Sequence, residues 1–313
     1  MIVILGPTAT GKTRVAVRVA QKVRGEIISA DSRQVFRRMN IGTGKDLDEY
    51  IIEDQHIPYH LIDIAEPGEE YSVFRLQQDF LKAWNDIRSR GRTPILCGGT
   101  GFYIEAVLKQ YRMAPVSENP ELRKSLEAKT DEELIAILAS MRKLHNKTDI
   151  EDRSRLIRTI EIDTFYLQHP DMPSDFPKID YQAFGIQYSR ETICRRITNR
   201  LQQRFQEGMV GEVESLLRHG VSPQRLCAYG LEYKFITQFI QGELSYREMF
   251  NLLNTAIQQY AKRQMTWFRR MERQGVSIQW VDGNIGTQKK ANVIARAYNE
   301  KKPPGESSFC NDL

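Results

Sequence analysis

Residues Gly6–Thr13, GPTATGKT, carry the strongest structural signal in this chain. It follows the apolar run Met1–Leu5 and leads into Lys12–Arg24, where valines and alanines recur every three to four residues. The first pattern is typical of a buried strand and the second of an amphipathic helix. A loop of the form G-x-x-x-x-G-K-T between a strand and a helix binds phosphate. The chain is therefore predicted to be an α/β protein built around this segment, called here the phosphate loop.

The chemistry of the phosphate loop follows from its residue types. Glycines let the backbone wrap an anion without a clashing Cβ, and successive N–H groups and the helix N-terminus then point at phosphate oxygens. Lys12 adds a positive charge, and the hydroxyl of Thr13 is placed to bind Mg²⁺. The residues expected to bind the phosphates are Gly6, Pro7, Thr8, Ala9, Thr10, Gly11, Lys12 and Thr13. This indicates a diphosphate or triphosphate with Mg²⁺, and does not by itself indicate ATP.

Further apolar runs alternate with amphipathic segments along the chain. Strands are predicted at Met1–Leu5, Glu26–Ala30, within 58–64, within 93–101, at Tyr181–Gln187 and at 277–281. Helices are predicted at Lys12–Arg24, over 72–90 with Ser72 as the cap, after Ser189, and from Ser245 through Arg273, where Ser245 and Glu248 form a capping box. Strands that alternate with helices predict a parallel sheet with helices on both faces.

The composition changes near Ala114. The region 113–180 is polar, begins with prolines and shows no convincing buried strand before Tyr181. We expect it to be a helical insertion domain, with an extra helical layer of the same domain as the alternative. The catalytic core with its C-terminal helices is then expected over 1–112 and 181–285, and a C-terminal helix with a flexible tail over 286–313.

Composition limits the class of protein. The chain has 313 residues and a net charge of +5, from 45 basic and 40 acidic side chains, which is weak by itself as a nucleic-acid signal. None of the four cysteines forms a C-x-x-C pair, so neither a zinc site nor a disulfide framework is expected. No apolar run approaches ~20 residues, and the phosphate loop begins at residue 6. We therefore expect no membrane span, no signal peptide and a cytoplasmic protein.

Two other predicted strands end in residues suited to a ligand site. Asp31 follows Glu26–Ala30, and its carboxylate has three possible roles: holding Mg²⁺ through water, acting as a general base, or capping the next helix. The strand within 93–101 ends in Gly98, Gly99 and Thr100, where an NTPase usually has an acidic residue. This disfavours a standard ATPase, and a small hydroxyl between glycines suits the close approach of a ligand.

Basic residues occur in three clusters. The clusters are Arg190, Arg195, Arg196, Arg200 and Arg204; Lys262, Arg263, Arg269, Arg270 and Arg273; and Arg153, Arg155 and Arg158. Arg196, Arg200 and Arg204 are four residues apart and share one helix face. A single cluster is more often a solvated face than a ligand site. Three of them in a chain of only +5 suit a polyanion such as RNA.

The order of several short strings resembles one family. The strings are GPTATGKT, ISADSRQVF, MNIGTGK, HLIDIAEP, YSVFRL, PILCGGTGFYI, RLIRTIEI and YAKRQMTWFRR. They occur in the order found in tRNA dimethylallyltransferases, also called tRNA isopentenyltransferases, and the resemblance covers Met1 to Val281. It implies an architecture similar to P-loop nucleotide kinases with a helical insertion that grips tRNA. It also implies transfer of a dimethylallyl group from dimethylallyl diphosphate to the exocyclic amine of the adenosine 3′-adjacent to the anticodon.

The resemblance assigns roles to residues of this chain. Asp31 is implied to be the general base, Thr100 to lie near the reacting centre, and Arg196 to pair with the leaving diphosphate beside Lys12. The segments implied to contact the anticodon stem-loop of tRNA comprise Asp31, Ser32, Arg33, Gln34, Thr100, Arg123, Ser154, Arg155, Leu156, Ile157, Arg158, Lys262 and Arg263. Mg²⁺ is the implied cofactor, with Thr13 as its ligand, and we expect a monomer.

The chain departs from the family pattern in three places. These are 227–234, CAYGLEYK, where a Gly-Tyr pair is usual; Ile257 and Gln258, where a Thr-Arg pair is common; and 144–149, which replaces a proline-containing run. The departures leave the chemistry intact and the detailed RNA contacts open.

Three other functions compete with this one. A P-loop kinase of a small metabolite would need ATP and no basic clusters. An adenylate dimethylallyltransferase would not need the region 113–180. A non-catalytic RNA-binding protein would not need Lys12, Thr13 and Asp31.

Overall fold

The computed structural model describes residues 1–142, 152–171 and 176–301. The departure at 144–149 and the predicted flexible tail beyond residue 301 lie outside these residues. The chain forms two compact units. Met1–Tyr111 and Lys178–Leu313 form one, called here the core unit, and Arg112–Pro177 forms the other, called here the helical unit.

The core unit is built on a six-stranded sheet. The strands of the chain are β1 (Ile2–Leu5), β2 (Gly25–Ala30), β3 (Ile51–Ile52), β4 (Gln55–His56), β5 (Tyr59–His60), β6 (Thr93–Gly98), β7 (Gln182–Gln187) and β8 (Ile278–Asp282). Their order in the large sheet is β5-β2-β6-β1-β7-β8, and every neighbouring pair is parallel. The predicted parallel α/β architecture is confirmed. The two-residue strands β3 and β4 form a separate antiparallel hairpin that sequence reasoning missed.

Helices connect the strands. They are α1 (Lys12–Val23), α2 (Val73–Ser89), α3 (Gly101–Leu108), α4 (Pro120–Glu127), α5 (Asp131–Met141), α6 (Arg153–Gln168), α7 (Arg190–Gln206), α8 (Met209–Arg218), α9 (Pro223–Ala228), α10 (Leu231–Ile240), α11 (Tyr246–Arg273) and α12 (Thr287–Glu300). Among the described residues, none of these helices is both long and apolar enough to cross a membrane.

Helix starts agree with the capping signals in the sequence. The Ser72 hydroxyl accepts the N–H of Arg75 at the start of α2, and Ser189 caps α7 in the same way. Ser245 and Glu248 form the predicted capping box at the start of α11. Each interaction satisfies backbone N–H groups that a helix leaves unpaired in its first turn.

One face of the sheet is covered by α1 and α12. Alternate residues of the strands, such as Ile2, Ile4 and Ile27, pack there against the valines of α1. Because side chains alternate across a strand, Val3, Leu5 and Ile28 face the other side, where α2 contacts β2 and β6. Burial on both faces explains why the strands are apolar without alternation.

The helical unit has its own core. This core consists of Leu126, Leu134, Leu138, Leu156, Ile157 and Ile160, contributed by α4, α5 and α6. The Thr130 capping box begins α5, and Asp152 caps α6. The three helices thus bury one common apolar cluster.

Candidate active site

Three ends of parallel strands bring the predicted site residues together. Leu5 of β1 and Ala30 of β2 both lie opposite Gly98 of β6 in the sheet register. The phosphate loop, Asp31 and Thr100 therefore leave the sheet at the same edge, on adjacent strands. Ligands of open α/β sheets bind at this carboxyl edge.

The phosphate loop has the backbone of an anion-binding turn. Ala9 and Gly11 adopt left-handed conformations, with φ angles of 61° and 73°. A Cβ at Gly6 would lie 3.0 Å from a carbonyl oxygen of β7, a tight contact that favours glycine at this position. The buried hydroxyl of Thr10 donates to the carbonyl of Pro7 at 2.9 Å and closes the turn from inside. Turns of this kind present N–H groups to a phosphate.

Lys12 is the first residue of α1 and reaches back over the phosphate loop. Its ammonium group lies 3.5 Å from the Pro7 carbonyl oxygen, a long hydrogen bond. Burial lowers the pKa of Lys12, and the nearby Cys97 and Asp31 act in the opposite direction. A bound phosphate would replace the missing hydration of this group with a compensating negative charge.

Asp31 is held in a turn and does not cap a helix. Its Oδ1 accepts the N–H of Arg33 at 2.9 Å, and residues 32–35 form turns. Among the described residues, Oδ2 has no hydrogen bond and the carboxylate no ion pair. The capping alternative was therefore wrong, because an Asx turn occupies the place of the expected helix N-terminus. One carboxylate oxygen is left for a ligand.

Thr100 lies beside Asp31. Its hydroxyl accepts the N–H of Ser32 at 3.2 Å, and its own N–H donates to the Ala30 carbonyl at 3.3 Å. These two bonds join the ends of β2 and β6. The structure brings together Asp31 and Thr100 as the sequence predicted.

The three arginines that share one face of α7 contact other residues of the core unit. The Nε of Arg196 donates to the carbonyl of Ala9 in the phosphate loop at 2.8 Å. Arg200 forms an ion pair with Asp46 at 2.5 Å, and Arg204, only 7% exposed, lies 3.6 Å from the same carboxylate. Arg200 and Arg204 are therefore paired within the protein, whereas Arg196 lies at the phosphate loop, and the suggestion that this cluster binds a polyanion stays a prediction. The shared helix face was predicted correctly, but it faces protein carboxylates and the phosphate loop.

Gln264 is a site residue that sequence reasoning missed. Its side-chain carbonyl accepts the N–H of Thr8 at 2.9 Å, and its amide donates to the carbonyl of Gly99 at 2.8 Å. The residue is 6% exposed. One buried side chain of α11 thus joins the phosphate loop to the end of β6. Its presence in the string YAKRQMTWFRR was the available signal.

Tyr260 and Glu232 complete the surroundings of Asp31. Burial raises the pKa of Tyr260 to about 12, with contributions from the carboxylates of Asp31 and Glu232, while a hydrogen bond with Thr100 acts in the opposite direction. Burial also raises the pKa of Glu232, although Arg204 and Arg200 oppose the shift. Sequence reasoning missed both residues, because they reach the site from distant helices.

The other predicted RNA contacts of the core unit differ in availability. Both amide atoms of Gln34 are bound, to the Ser29 hydroxyl and to the Gly44 carbonyl, each at 3.0 Å. Arg33 donates to the carbonyl of Ala228 at 3.3 Å. Lys262 and Arg263 on α11 are exposed and available to a polyanion.

The segment 154–158 of the helical unit is divided between surface and core. Ser154 and Arg155 are exposed. Leu156 and Ile157 are buried in the apolar cluster of the helical unit, so their side chains do not reach RNA. This corrects two of the predicted contacts: a run of five helical residues spans more than one turn, and part of it must face the core.

Two further arginines of the helical unit are paired with carboxylates. Arg158 forms an ion pair with Glu161 and donates to the carbonyl of Val116 at 2.6 Å. Arg123 pairs with the same Glu161 at 3.0 Å and with Glu118 at 2.8 Å. Both arginines were predicted to contact tRNA, and the structure gives them internal partners.

The departure at 227–234 has a packing role. The Tyr229 hydroxyl accepts the N–H of Gly68, and its ring contacts Phe36. The Tyr233 hydroxyl donates to Glu212 at 2.8 Å. That carboxylate also accepts three backbone N–H groups of residues 40–42. Tyr229 and Tyr233 are buried; Tyr233 acts through Glu212 on the loop that follows β2, and Tyr229 contacts both that loop and the loop before α2.

Comparison with protein families agrees with this geometry. A family described as IPP transferase matches residues 34–271, and one described as isopentenyl transferase matches residues 1–58. The chain is 51% identical over 300 residues to tRNA dimethylallyltransferase 2 of Bacteroides fragilis, covering 96% of this chain and 98% of that protein. It is 53% identical over 302 residues to tRNA dimethylallyltransferase 1 of Parabacteroides distasonis, with the same coverage.

Solved structures show the same fold. The tRNA isopentenylpyrophosphate transferase of Bacillus halodurans superimposes with a TM-score of 0.69 at 31% identity, covering 96% of this chain and 95% of that one. A eukaryotic dimethylallyltransferase acting on tRNA gives a TM-score of 0.77 at 24% identity, over 97% of this chain and 80% of that one, and supports the fold alone. The fold is a P-loop-type parallel sheet with helices on both faces.

Proposed function

The chain belongs to the IPP transferase family, and we infer that it transfers a dimethylallyl group from dimethylallyl diphosphate to tRNA. The acceptor is the exocyclic amine of the adenosine 3′-adjacent to the anticodon, and diphosphate is released. One observation carries the assignment of this reaction to the site. An anion-binding loop lies at the same sheet edge as the Asp31 carboxylate, one oxygen of which has no hydrogen bond among the described residues.

The phosphate loop is proposed to hold the diphosphate of the donor. Breaking the allylic C–O bond leaves the electron pair on the departing diphosphate and positive charge on carbon. Lys12 and Arg196, both at the phosphate loop, stabilise that negative charge as it develops. Because both groups are in place before the reaction, no reorganisation is needed in the transition state.

Asp31 is proposed to be the general base. The adenine amine is a weak nucleophile, since its lone pair is delocalised into the ring. As the N–C bond forms, the carboxylate accepts the proton that the amine loses. Thr100, next to Asp31, provides a hydroxyl at the reacting centre. The amine of a stacked base is out of reach, so the adenosine must be flipped out of the RNA helix to enter the site.

Mg²⁺ is the proposed cofactor. Among the described residues the hydroxyl of Thr13 has no hydrogen-bond partner, and it lies at the start of α1 beside the phosphate loop. Mg²⁺ is usually bound by one or two protein oxygens together with substrate phosphates and waters, so this single ligand fits. When bound, the ion would neutralise charge on the diphosphate.

The anticodon stem-loop is proposed to be held by exposed basic side chains. Lys262 and Arg263 in the core unit and Arg155 in the helical unit are the predicted contacts that remain exposed. Such groups bind RNA phosphates whatever the nucleotide sequence, and thereby position the RNA. We also propose that the protein is a monomer and acts in the cytoplasm, where tRNA is available.

Mass analysis of nucleosides tests this function. The protein is incubated with dimethylallyl diphosphate, Mg²⁺ and an anticodon stem-loop without ATP, and the RNA is digested. We expect dimethylallyl adenosine at the position 3′ of the anticodon, and none in a stem-loop with guanosine there. A strict ATP requirement would indicate the kinase, and modification of AMP but not RNA would indicate the adenylate transferase.

A further inference from the structure

Two cationic side chains lie over the ring of Tyr188, the residue that follows β7. The guanidinium carbon of Arg196 is 4.8 Å from the ring centroid, and the ammonium nitrogen of Lys290 is 5.3 Å from it. Both distances are within the range of cation–π attraction. Nothing in the sequence patterns described above drew attention to Tyr188 or Lys290.

The ring of Tyr188 is fixed from the side of β8 and α12. A Cβ on Gly283 would lie 2.3 Å from a ring carbon, so the ring packs directly on the glycine backbone. Lys290 is 4% exposed, and its ammonium group donates to the Gly283 carbonyl at 2.5 Å and lies 3.3 Å from the Tyr188 hydroxyl. Gly283 and Lys290 together leave the ring a single place to lie.

Few contacts fix the conformation of the Arg196 side chain. It is exposed, so burial does not set its conformation. Its Nε is anchored on the carbonyl of Ala9, while among the described residues the terminal nitrogens form no hydrogen bond. One terminal nitrogen lies 3.7 Å from the position of a Cβ on Gly11, at the phosphate loop. A long flexible side chain with one anchor loses entropy when it binds an anion, unless a second surface already restricts it.

We propose that Tyr188 is a positioning residue for Arg196. Its ring, held by Gly283 and Lys290, restricts the guanidinium group so that the terminal nitrogens stay directed at the phosphate loop. The C-terminal helix α12 thereby supports the anion site through Lys290. The inference rests on the proposed function, in which Arg196 stabilises the departing diphosphate.

The experiment separates positioning from folding by a double-mutant cycle. Tyr188→Leu removes the π face at similar volume, Tyr188→Phe keeps it, and each is combined with Arg196→Ala. The affinity for inorganic diphosphate is measured by calorimetry, and kcat and KM for dimethylallyl diphosphate and for the stem-loop RNA are measured separately.

We expect Tyr188→Leu to weaken diphosphate binding roughly 3- to 30-fold and to lower kcat/KM for the donor by a similar factor. KM for RNA should not change, and Tyr188→Phe should restore most of the loss. In the Arg196→Ala background, Tyr188→Leu should cause no further loss, because the two residues act through one interaction. An equal loss with and without Arg196 would overturn the proposal.

Two further variants test the proposal even if Tyr188→Leu does not fold. Gly283→Ala keeps Tyr188 and displaces its ring, and should reproduce the weaker diphosphate binding. Lys290→Met should weaken binding less than Tyr188→Leu, whereas the exposed neighbour Lys289→Met should not change it. Normal binding by Gly283→Ala would also reject the proposal.

The same binding measurements distinguish a failure of the proposed function from a failure of the positioning role of Tyr188. If Arg196→Ala itself leaves diphosphate binding unchanged, the role of Arg196 is wrong and the inference fails with it. If Arg196→Ala weakens binding and Tyr188→Leu does not, only the positioning role is wrong.

Discussion

The carboxyl edge of the sheet and the helical unit differ in how many partners their charged side chains have. At the sheet edge, and within the part of the chain that the structure describes, the Asp31 carboxylate has one hydrogen bond and the Lys12 ammonium group only a long one. In the helical unit, Glu161 is 2% exposed and interacts with Arg123, Arg158 and a backbone N–H. Charges whose bonding capacity is used within the protein stabilise it. Charges with few partners at the carboxyl edge of the sheet are available to a ligand.

The largest expected effect is at the sheet edge. Asp31→Asn keeps the size of the side chain and removes its ability to accept a proton, so we expect kcat to fall roughly 10²- to 10⁴-fold. The free energy of unfolding and the affinity for RNA should change little. Single-turnover rates with dimethylallyl diphosphate and a stem-loop, together with urea unfolding, measure both.

A matched control for this variant is available at another strand end. Asp282 at the end of β8 also accepts an N–H two residues ahead, from Asn284 at 2.9 Å. Asp282→Asn should leave turnover unchanged. Near-normal turnover by Asp31→Asn would contradict this prediction. Asp31 would then only stabilise its turn, and the sheet edge would no longer differ from the helical unit in having a charge that acts on a substrate.

The second effect concerns stability and pH in the helical unit. Burial alone would raise the pKa of Glu161, but Arg123, the N–H of Asn119 and Arg158 together outweigh it and lower the pKa. Because the folded-state pKa is below the unfolded one, the stabilisation is complete at neutral pH. It is lost as the pH falls through the folded-state pKa, which lies below the ordinary pKa of a glutamate side chain.

Glu161→Gln should therefore destabilise the helical unit by about 1–3 kcal/mol at pH 7, and by less in acid. Amide hydrogen exchange of α6 in the full chain measures this, with the exposed Glu127→Gln of α4 as the control. Turnover per folded molecule should stay constant. A loss of turnover with unchanged protection of α6 would mean that Glu161 belongs to the substrate site.

The smallest expected effect concerns Arg155, which differs from the paired arginines of the helical unit. Among the described residues, Arg155 has no side-chain partner, in contrast to Arg158 on the same helix. Arg155→Ser should weaken stem-loop binding a few-fold and reduce the salt slope by about 1, without loss of stability. Binding isotherms at several salt concentrations measure this, and Arg155→Lys should retain the salt slope. An unchanged slope for Arg155→Ser would place this surface outside the RNA footprint.

Features set by neighbouring residues could be predicted from the sequence. The phosphate loop, the strands on which the sheet is built and the serine caps depend on residues within a few positions of one another. The position of Asp31 beside the phosphate loop also followed, because parallel strands end at a common edge. The small hairpin of β3 and β4 was missed, since two-residue strands show no periodicity.

Long-range partners could not be predicted. The spacing of Arg196, Arg200 and Arg204 showed that they share a face, but only the fold shows that the face meets Asp46 and the phosphate loop. Gln264 and Thr8 are 256 residues apart in sequence. Likewise, the basic count of α6 gave no sign that Arg158 is committed to Glu161.

The hydrogen bonds of Gln264 affect which part of the phosphate loop can bind an anion. Pro7 has no N–H, and the N–H of Thr8 is already engaged by the glutamine. Neither Pro7 nor Thr8 therefore offers an N–H to a phosphate, so an anion must be bound by the N–H groups nearer the start of α1. A diphosphate should accordingly sit off-centre, with its more strongly held end at Lys12 and Thr13. The same side chain ties Thr8 to Gly99, so the position of the phosphate loop relative to the end of β6 is fixed by a single residue of α11.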